Sequence, residues 1–356
     1  MIKKRVIVGM SGGVDSSVAA ALLLKQGYEV VGVTMCFNLV DYSRKRPACC
    51  STQGLDDARR VAHQLGIKHY VLNMHKSLEE RVIKYFCDEY LSGRTPNPCV
   101  VCNQYLKFGE LLDKTKAFDA KFLATGHYAR IAKLDPGFLL KKAKDPKKDQ
   151  TYFLYRLSQS QLKHIIFPLG DYTKDQVRIL AKNLGLSVAD KKGSQEICFL
   201  PDDDYRKFLE ARFGNKIKPG YIIDKEGNVL GRHKGIAYYT IGQRQGLGIA
   251  RGVPVYIIGI DRLRNQIIIG PRETTCKRKV IIKDLHFALK PIKKKVALRV
   301  KIRYNHKESG AEVSPIGNKI LINFKTPQFA ITPGQSAVFY DRDKVLGGGI
   351  IERVLD

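Results

Sequence analysis

The run Gly9-Met10-Ser11-Gly12-Gly13-Val14-Asp15-Ser16-Ser17 dictates more of the architecture than any other stretch of the chain. It follows the apolar segment Arg5–Met10, which reads as a buried strand. It opens Ser16–Gln26, which reads as a helix stopped by Gly27 in the usual C-terminal position. Glu29–Met35 is the next strand, completing a β-α-β unit. A glycine turn between a strand and a helix start exposes backbone N–H groups where the helix dipole favours an anion, and Ser11, Ser16 and Ser17 add hydroxyl donors. No Gly-x-x-x-x-Gly-Lys-Ser/Thr is present, so the loop is not an ordinary P-loop. Nor is there a Gly-x-Gly-x-x-Gly followed by the acidic residue that dinucleotide binding needs.

The strand–helix alternation continues with a helix at Leu55–Leu65, a strand at His69–Leu72, a helix near Gln104–Thr115 and a strand at Lys121–Thr125. That order predicts an α/β fold with a doubly wound parallel sheet. Ligands of such sheets bind beyond the C-terminal strand ends, where Ser11–Ser16, Met35 and Gly126 all fall. After about residue 206 short Val/Ile/Tyr-rich runs replace this pattern, punctuated by glycines. Val296–Arg303, Lys319–Phe324 and Ser336–Tyr340 read as strands of a small barrel or sandwich. The expected organisation is a catalytic domain over 1–205, a small mixed α+β domain over 206–275 and a C-terminal β-barrel over 276–356.

Sixty-two Lys and Arg against 34 Asp and Glu give a formal charge of +28, which favours a polyanionic partner. The excess is concentrated. Lys277–Arg303 holds eleven basic residues and one acid, Asp284, and Lys141, Lys142, Lys144, Lys147 and Lys148 form a second cluster. No run approaches the roughly eighteen apolar residues of a membrane span. The basic start Met1–Arg5 leads into an apolar stretch too short for a signal peptide, because glycines and Asp15 interrupt it. A cytoplasmic protein without a membrane partner is therefore expected. Eight cysteines in a chain of this size do not suggest a secreted disulfide framework. Cys99 and Cys102 form a Cys-x-x-Cys, while Cys36, Cys49, Cys50, Cys87 and Cys276 read as structural or inert thiols. Asp202, Asp203 and Asp204 read as a helix-capping cluster rather than catalytic carboxylates.

Ser-Gly-Gly-x-Asp-Ser resembles the pyrophosphate (PP) loop of ATP pyrophosphatases, whose fold is adenine nucleotide α-hydrolase-like. Further motifs are Arg94–Asn103, Ala124–Ala129, Lys148–Leu154, Ser194–Phe199 and Gly242-Gln243-Arg244-Gln245-Gly246-Leu247-Gly248. Their order and spacing resemble the tRNA-specific 2-thiouridylases over nearly the whole chain. The resemblance implies that Gly9, Met10, Ser11, Gly12, Gly13, Val14, Asp15 and Ser16 hold the ATP phosphates, with Met35 and Gly126 on the adenosine. It places Asn97, Pro98 and Cys99 against the target base. It gives His127, Lys148, Asp149, Gln150, Arg303, Tyr304 and Gln335 to tRNA contacts, Cys102 to the nucleophile and Cys198 to the persulfide carrier. The implied partners are tRNAs for Lys, Glu and Gln, modified at the wobble uridine, and an upstream sulfur donor such as a cysteine desulfurase or relay protein.

The residue types suit this chemistry. A urea-type C2 oxygen leaves poorly unless it is first joined to the α-phosphate of ATP, a transfer that needs charge neutralisation, hence the loop and Mg²⁺. Asp15 is a candidate for that metal, with helix capping as its alternative. A thiolate or persulfide then attacks C2. Some members of the family carry aspartate where this chain has Cys99. A third thiolate beside Cys102 and Cys198 matches a 4Fe–4S site with one open iron. A cluster-free persulfide route ending in a Cys102–Cys198 disulfide, and structural zinc, are the alternatives. His127 is either a tRNA contact or a hydrogen-bonded core residue. Two other functions share features with this reading. A PP-loop amidotransferase-type ligase would share the loop but has no use for Cys102 and Cys198. A non-catalytic RNA-binding protein would account only for the charge and the barrel.

Overall fold

The computed structural model describes residues 4–37, 39–41, 46–48, 52–191, 197–200, 204–249 and 252–355. Met1–Lys3, Cys49, Cys50, Ser194–Glu196, Asp202 and Asp203, on which the sequence raised expectations, lie outside the described residues. The chain divides into two compact units. One comprises Met1–Val82, Cys99–Leu200 and Asp343–Val345; the other comprises Ile83–Pro98, Pro201–Arg342 and Leu346–Asp356.

The first unit is built on a five-stranded parallel sheet in the order Lys68–Asn73, Glu29–Cys36, Arg5–Gly9, Phe122–Thr125, Ile165–Ile166. The chain begins in the middle strand, builds outward on one side, then returns to build on the other. The end of Arg5–Gly9 is therefore the switch point, where α/β sheets open a crevice. Val6 and Val8 are fully buried in a cluster with Val18 and Leu23 of the helix Val14–Lys25, Ala58 and Val61 of Thr52–Gln64, and Val177 and Ala181 of Lys174–Asn183. Ile7 and Leu123 alternate with them and are equally buried, so the central strands are covered on both faces. Gly27 adopts φ +85° just past the first helix, which is why glycine stands there.

Two local features depart from expectation. Ala129–Leu134 and Gly137–Lys142 form an antiparallel hairpin within the otherwise parallel half, turned at Asp135-Pro136-Gly137. The helix expected near Gln104–Thr115 begins earlier, at Pro98–Cys102, and widens to a π-helix over Asn103–Glu110 before tightening again at Leu111–Lys114. Such widened turns are rare and concentrate at functional sites.

In the second unit the helix Lys84–Leu91 packs on Tyr205–Phe213. Tyr90 stacks on Tyr205 with ring centroids 4.5 Å apart, and Phe86 meets Phe208 edge-on at 6.2 Å. Asp204 caps the second of these helices by accepting from the backbone N–H groups of Arg206 and Lys207, as the capping reading expected. A four-stranded sheet follows in the order Val229–His233, Gly220–Ile223, Gln266–Gly270, Tyr256–Asp261, with Ile222, Ile257, Ile267 and Ile269 at its core. Six further strands run Cys276–Phe287, Lys319–Phe329, Ser309–Ile316, Val296–Lys301, Ser336–Asp341, Lys344–Leu355, and the first pairs with the last to close a barrel. Its interior is filled by alternating residues such as Val280 and Ile282, Ile320, Ile322 and Phe324, and Ala337 and Phe339. Each fully buried large side chain contributes roughly 1.5–3 kcal/mol, so this pattern supplies the barrel with its own core.

Candidate active site

The loop leaves the middle strand with Met10 N–H bonded to Val33 C=O at 2.8 Å, then turns at Gly12, φ +71°. A Cβ on Gly12 would strike the Gly54 carbonyl, so both the dihedral and the space demand glycine. Gly13 is the N-cap residue of Val14–Lys25 and offers no side-chain acceptor. The first-turn N–H groups are thus not satisfied by a capping side chain, the condition in which a helix start receives an anion. Ser16 Oγ accepts from Ser11 N–H at 3.2 Å and donates to Gly13 C=O at 3.1 Å, and Ser17 Oγ donates to the same carbonyl at 2.9 Å. These bonds fix the turn from inside.

Asp15 lies in the first turn of that helix rather than at its cap, which is Gly13. Its Oδ1 accepts from Tyr128 Oη at 2.8 Å and from Lys174 Nζ at 2.6 Å. Burial and the Asp15 carboxylate push the Tyr128 phenol far up, so it remains a donor. Lys191 Nζ approaches the loop separately, donating to Gly12 C=O at 3.1 Å and to the buried Asp57 carboxylate at 2.7 Å. Gly126 follows the strand Phe122–Thr125, and a Cβ there would stand 2.7 Å from the Asp15 carbonyl carbon and the Ser16 nitrogen. Met35 lies half-buried near the end of Glu29–Cys36. The three adjacent strand ends carrying Met10, Met35 and Gly126 therefore converge around the loop. The motifs never pointed to Lys174, Lys191 or Asp57. Tyr128 stood inside one motif without a role.

Cys99 and Cys102 share one helical turn just before the widened segment. Cys99 is half-buried and Cys102 buried. Burial pushes the Cys99 thiol up to about 11, partly opposed by Lys107, and raises Cys102 for the same reason. Both thiols are protonated at neutral pH. Cys198 is exposed, between Ile197 and the buried Phe199. Among the described residues no three His, Cys, Asp or Glu side chains are grouped to hold a metal ion. The expectation that Cys99, Cys102 and Cys198 gather as a 4Fe–4S set is thus not met by this arrangement, nor is a zinc set. A Cys-x-x-Cys spacing fixes two thiols on one turn but says nothing about where a residue 96 positions further on will stand. Cys36 and Cys87 are buried, as structural thiols should be, and Cys276 is half-buried where a barrel strand begins.

His127 is half-buried, its Nδ1 2.7 Å from Thr125 Oγ1 and its ring between Phe108 and Phe167 at 5.7 and 6.0 Å. Burial, then Lys107, hold it well below its usual range, so it is neutral. Lys148 is half-buried. Asp149 is buried, with Oδ1 accepting from Ala143 N–H and Oδ2 from Thr151 Oγ1. Gln150 exchanges two 2.9 Å bonds with the backbone of Tyr128. In the second unit, Gln335 Nε2 donates to the carbonyls of Thr95 and Pro96 at 3.2 and 2.9 Å, bracing the segment that leads to the buried Asn97 and Pro98. Arg303 donates to Ile241 C=O, Ala330 C=O and Thr332 Oγ1, and Lys301 Nζ stands 5.4 Å over the Tyr304 ring. The glycine-rich motif at 242–248 borders an open cavity of about 560 Å³ lined by Tyr205, Arg206, Thr240, Gln245 and Arg303. Asp149, Arg303 and Gln335, which the resemblance gives to tRNA contacts, thus also make internal bonds.

Residues 4–202 match a family model described as a tRNA methyl transferase HUP domain, 206–271 a tRNA methyl transferase PRC-barrel domain, and 277–351 an aminomethyltransferase β-barrel domain. A Clostridium perfringens protein named tRNA-specific 2-thiouridylase MnmA is 50% identical over 359 residues, covering 100% of both chains. An Acetivibrio thermocellus protein of the same name is 51% identical, covering 99% of this chain and 100% of its own. A solved 4-thiouridine synthetase–RNA complex with bound ATP covers 55% of this chain and 45% of its own at 18% identity and a TM-score of 0.37, too distant to carry an argument. The domain descriptions speak of methyl transfer and the relatives' names of thiolation, and the likeness at half identity over whole chains decides between them. The chain belongs to the tRNA-specific 2-thiouridylase (MnmA) family.

Proposed function

We propose that this protein uses ATP to replace the C2 oxygen of a tRNA uridine with sulfur, its relatives' named activity. The observation that carries the proposal is the uncapped helix start at Gly13, at the sheet's switch point, in the same unit as Cys99, Cys102 and Cys198. Gly9–Ser16, Met35 and Gly126 receive ATP. The C2 oxygen attacks the α-phosphorus, and pyrophosphate leaves from the N–H-lined loop. Sulfur then attacks C2, and the original oxygen leaves as part of AMP.

Exposed Cys198 suits the residue that accepts sulfur as a persulfide from an outside donor, a cysteine desulfurase or relay protein. Its terminal sulfur attacks C2. The Cys102 thiol loses its proton and the resulting thiolate attacks Cys198 Sγ, which leaves sulfur on the uridine and a Cys102–Cys198 disulfide for a thiol reductant to reopen. A second reading, a 4Fe–4S cluster on Cys99, Cys102 and Cys198, is favoured only by the Cys99–Cys102 pair on one turn, and no step is assigned to it. Mg²⁺ would enter with the ATP phosphates and offset their charge.

The segments 206–275 and 276–356 would act as two tRNA-gripping domains beside a catalytic domain over 1–205. Positive surface such as the exposed Lys290, Lys293 and Lys294 would meet phosphates, and the wobble uridine of tRNAs for Lys, Glu and Gln would turn out toward Asn97, Pro98 and Cys99. His127, Lys148, Asp149, Gln150, Arg303, Tyr304 and Gln335 would contact the tRNA, as the resemblance to the family implies. No described helix is long and apolar enough to cross a membrane, and a cytoplasmic site of action is part of the proposal.

The test is incubation with tRNA, ATP and a sulfide or persulfide source, followed by mass analysis of the nucleosides. A 2-thiouridine product dependent on ATP and on Cys102 supports the reading; tRNA left unmodified by a protein that binds it would overturn it. Iron and labile sulfide, measured on protein reconstituted without oxygen, separate the two sulfur routes.

A further inference from the structure

The Gly9–Ser17 run contains no lysine or arginine, yet it faces the most highly charged part of the nucleotide under the function proposed above. Backbone N–H groups and hydroxyls offset part of that charge; an ammonium group would have to come from elsewhere in the chain. Two arrive from far along the sequence. Lys191 Nζ is divided between Gly12 C=O and the Asp57 carboxylate, whose side chain is 9% exposed, and so it is pinned as a brace under the turn. Lys174 Nζ differs. It meets Asp15 Oδ1 at 2.6 Å in the first turn of the helix, where the loop's N–H groups also point.

We propose that Lys174 is the cation that neutralises the ATP phosphates at this loop, held ready by Asp15 until the nucleotide enters. The inference rests on the nucleotide reading and goes beyond the motif residues. Its delivery is rigid. Lys174 opens the helix Lys174–Asn183, capped reciprocally by Thr173 and Gln176, and its backbone N–H donates to Asp145 Oδ2 at 3.0 Å. Val177 and Ala181 of that helix are buried in one cluster with Val14 and Val18 of the loop's own helix, so the two helix starts are fixed together. Tyr128 completes the arrangement. Because its phenol stays protonated and bonded to Asp15 Oδ1, the carboxylate keeps a donor when the ammonium turns to a phosphate. Asp15 then serves as a holder for Lys174, which accounts for an acid in a loop that must attract an anion.

The experiment is equilibrium binding of ATP and of adenosine to the full chain carrying Lys174→Met, Lys174→Arg, or Lys174→Met together with Asp15→Asn. The double variant leaves no carboxylate without its cation, and adenosine binding reports in each variant whether the site is still folded. Loss of one charge-assisted contact should weaken ATP binding about tenfold to a hundredfold while adenosine stays within about threefold. Lys174→Arg should recover most of the loss. ATP binding unchanged in the folded Lys174→Met variant, or ATP and adenosine weakened alike, would overturn the proposal. A folded wild type that binds no ATP would overturn the nucleotide reading itself, and this inference with it.

Discussion

The two thiols on one helical turn carry a quantitative consequence for reactivity. Only thiolate reacts with iodoacetamide at a useful rate. With the Cys99 thiol pushed from an ordinary 9.0 up to about 11, its thiolate fraction at pH 8 falls from about 0.1 to about 0.001, a hundredfold drop. Cys102 moves in the same direction and is the more buried of the two. Peptide mapping after timed alkylation at pH 7, 8 and 9 should find exposed Cys198 labelled first. Cys99 labelling should rise about tenfold per pH unit with no plateau below pH 10. Stability follows the same linkage. The folded thiol holds its proton to a higher pH than the unfolded one, so its contribution is complete below about pH 9. It is lost as pH rises through about 11, at most about 2–3 kcal/mol. Cys99 alkylated as fast as Cys198 at neutral pH would refute the argument, and with it the conclusion that Cys102 must lose a proton before it acts.

Other consequences are open to measurement. Gly126→Ala forces a methyl to within 2.7 Å of the Asp15–Ser16 backbone and should shift the loop, weakening ATP binding more than tenfold and lowering stability by about 1–3 kcal/mol in thermal unfolding. Replacing exposed Lys293 and Lys294 together by Ser should leave ATP binding unchanged and reduce the slope of log tRNA affinity against log salt by up to about two; an unchanged slope would remove that loop from the RNA surface. Asp204→Ala should cost about 1 kcal/mol by leaving the Arg206 and Lys207 N–H groups without their cap, read by denaturant unfolding.

What the sequence made legible was whatever is encoded over a few residues. The strand, loop and helix from Arg5 to Lys25 were readable because apolar runs, glycines and a helix pattern occur in immediate succession. The barrel strands were readable from alternation, as in Lys319–Phe324, although closure between Cys276–Phe287 and Lys344–Leu355 left no local mark. The hairpin at 129–142 announced itself only through Asp135-Pro136-Gly137, a turn signal that the dominant strand–helix rhythm overrode. The pairing of Lys84–Leu91 with Tyr205–Phe213 depends on contacts between distant segments, so a boundary drawn from texture could not find it. At the site, loop residues and thiols stood out by type and spacing. Lys174 did not, since it lies 159 residues from Asp15 and resembles any other lysine of a basic chain. The thiols show the same limit, because chemistry suited to a cluster can be read from residue type and spacing while the convergence of Cys198 with Cys99 and Cys102 cannot.

The chemistry proposed for the loop and the thiols makes one traceable demand on a single atom. A tRNA bearing heavy oxygen at C2 of the target uridine, turned over with ATP and a sulfur source, should pass that oxygen into the phosphate of AMP. Label in AMP at one atom per thiolated uridine is the expected result. Label found in water or pyrophosphate, with AMP unlabelled, would contradict adenylation of the C2 oxygen and require another route to the sulfur product.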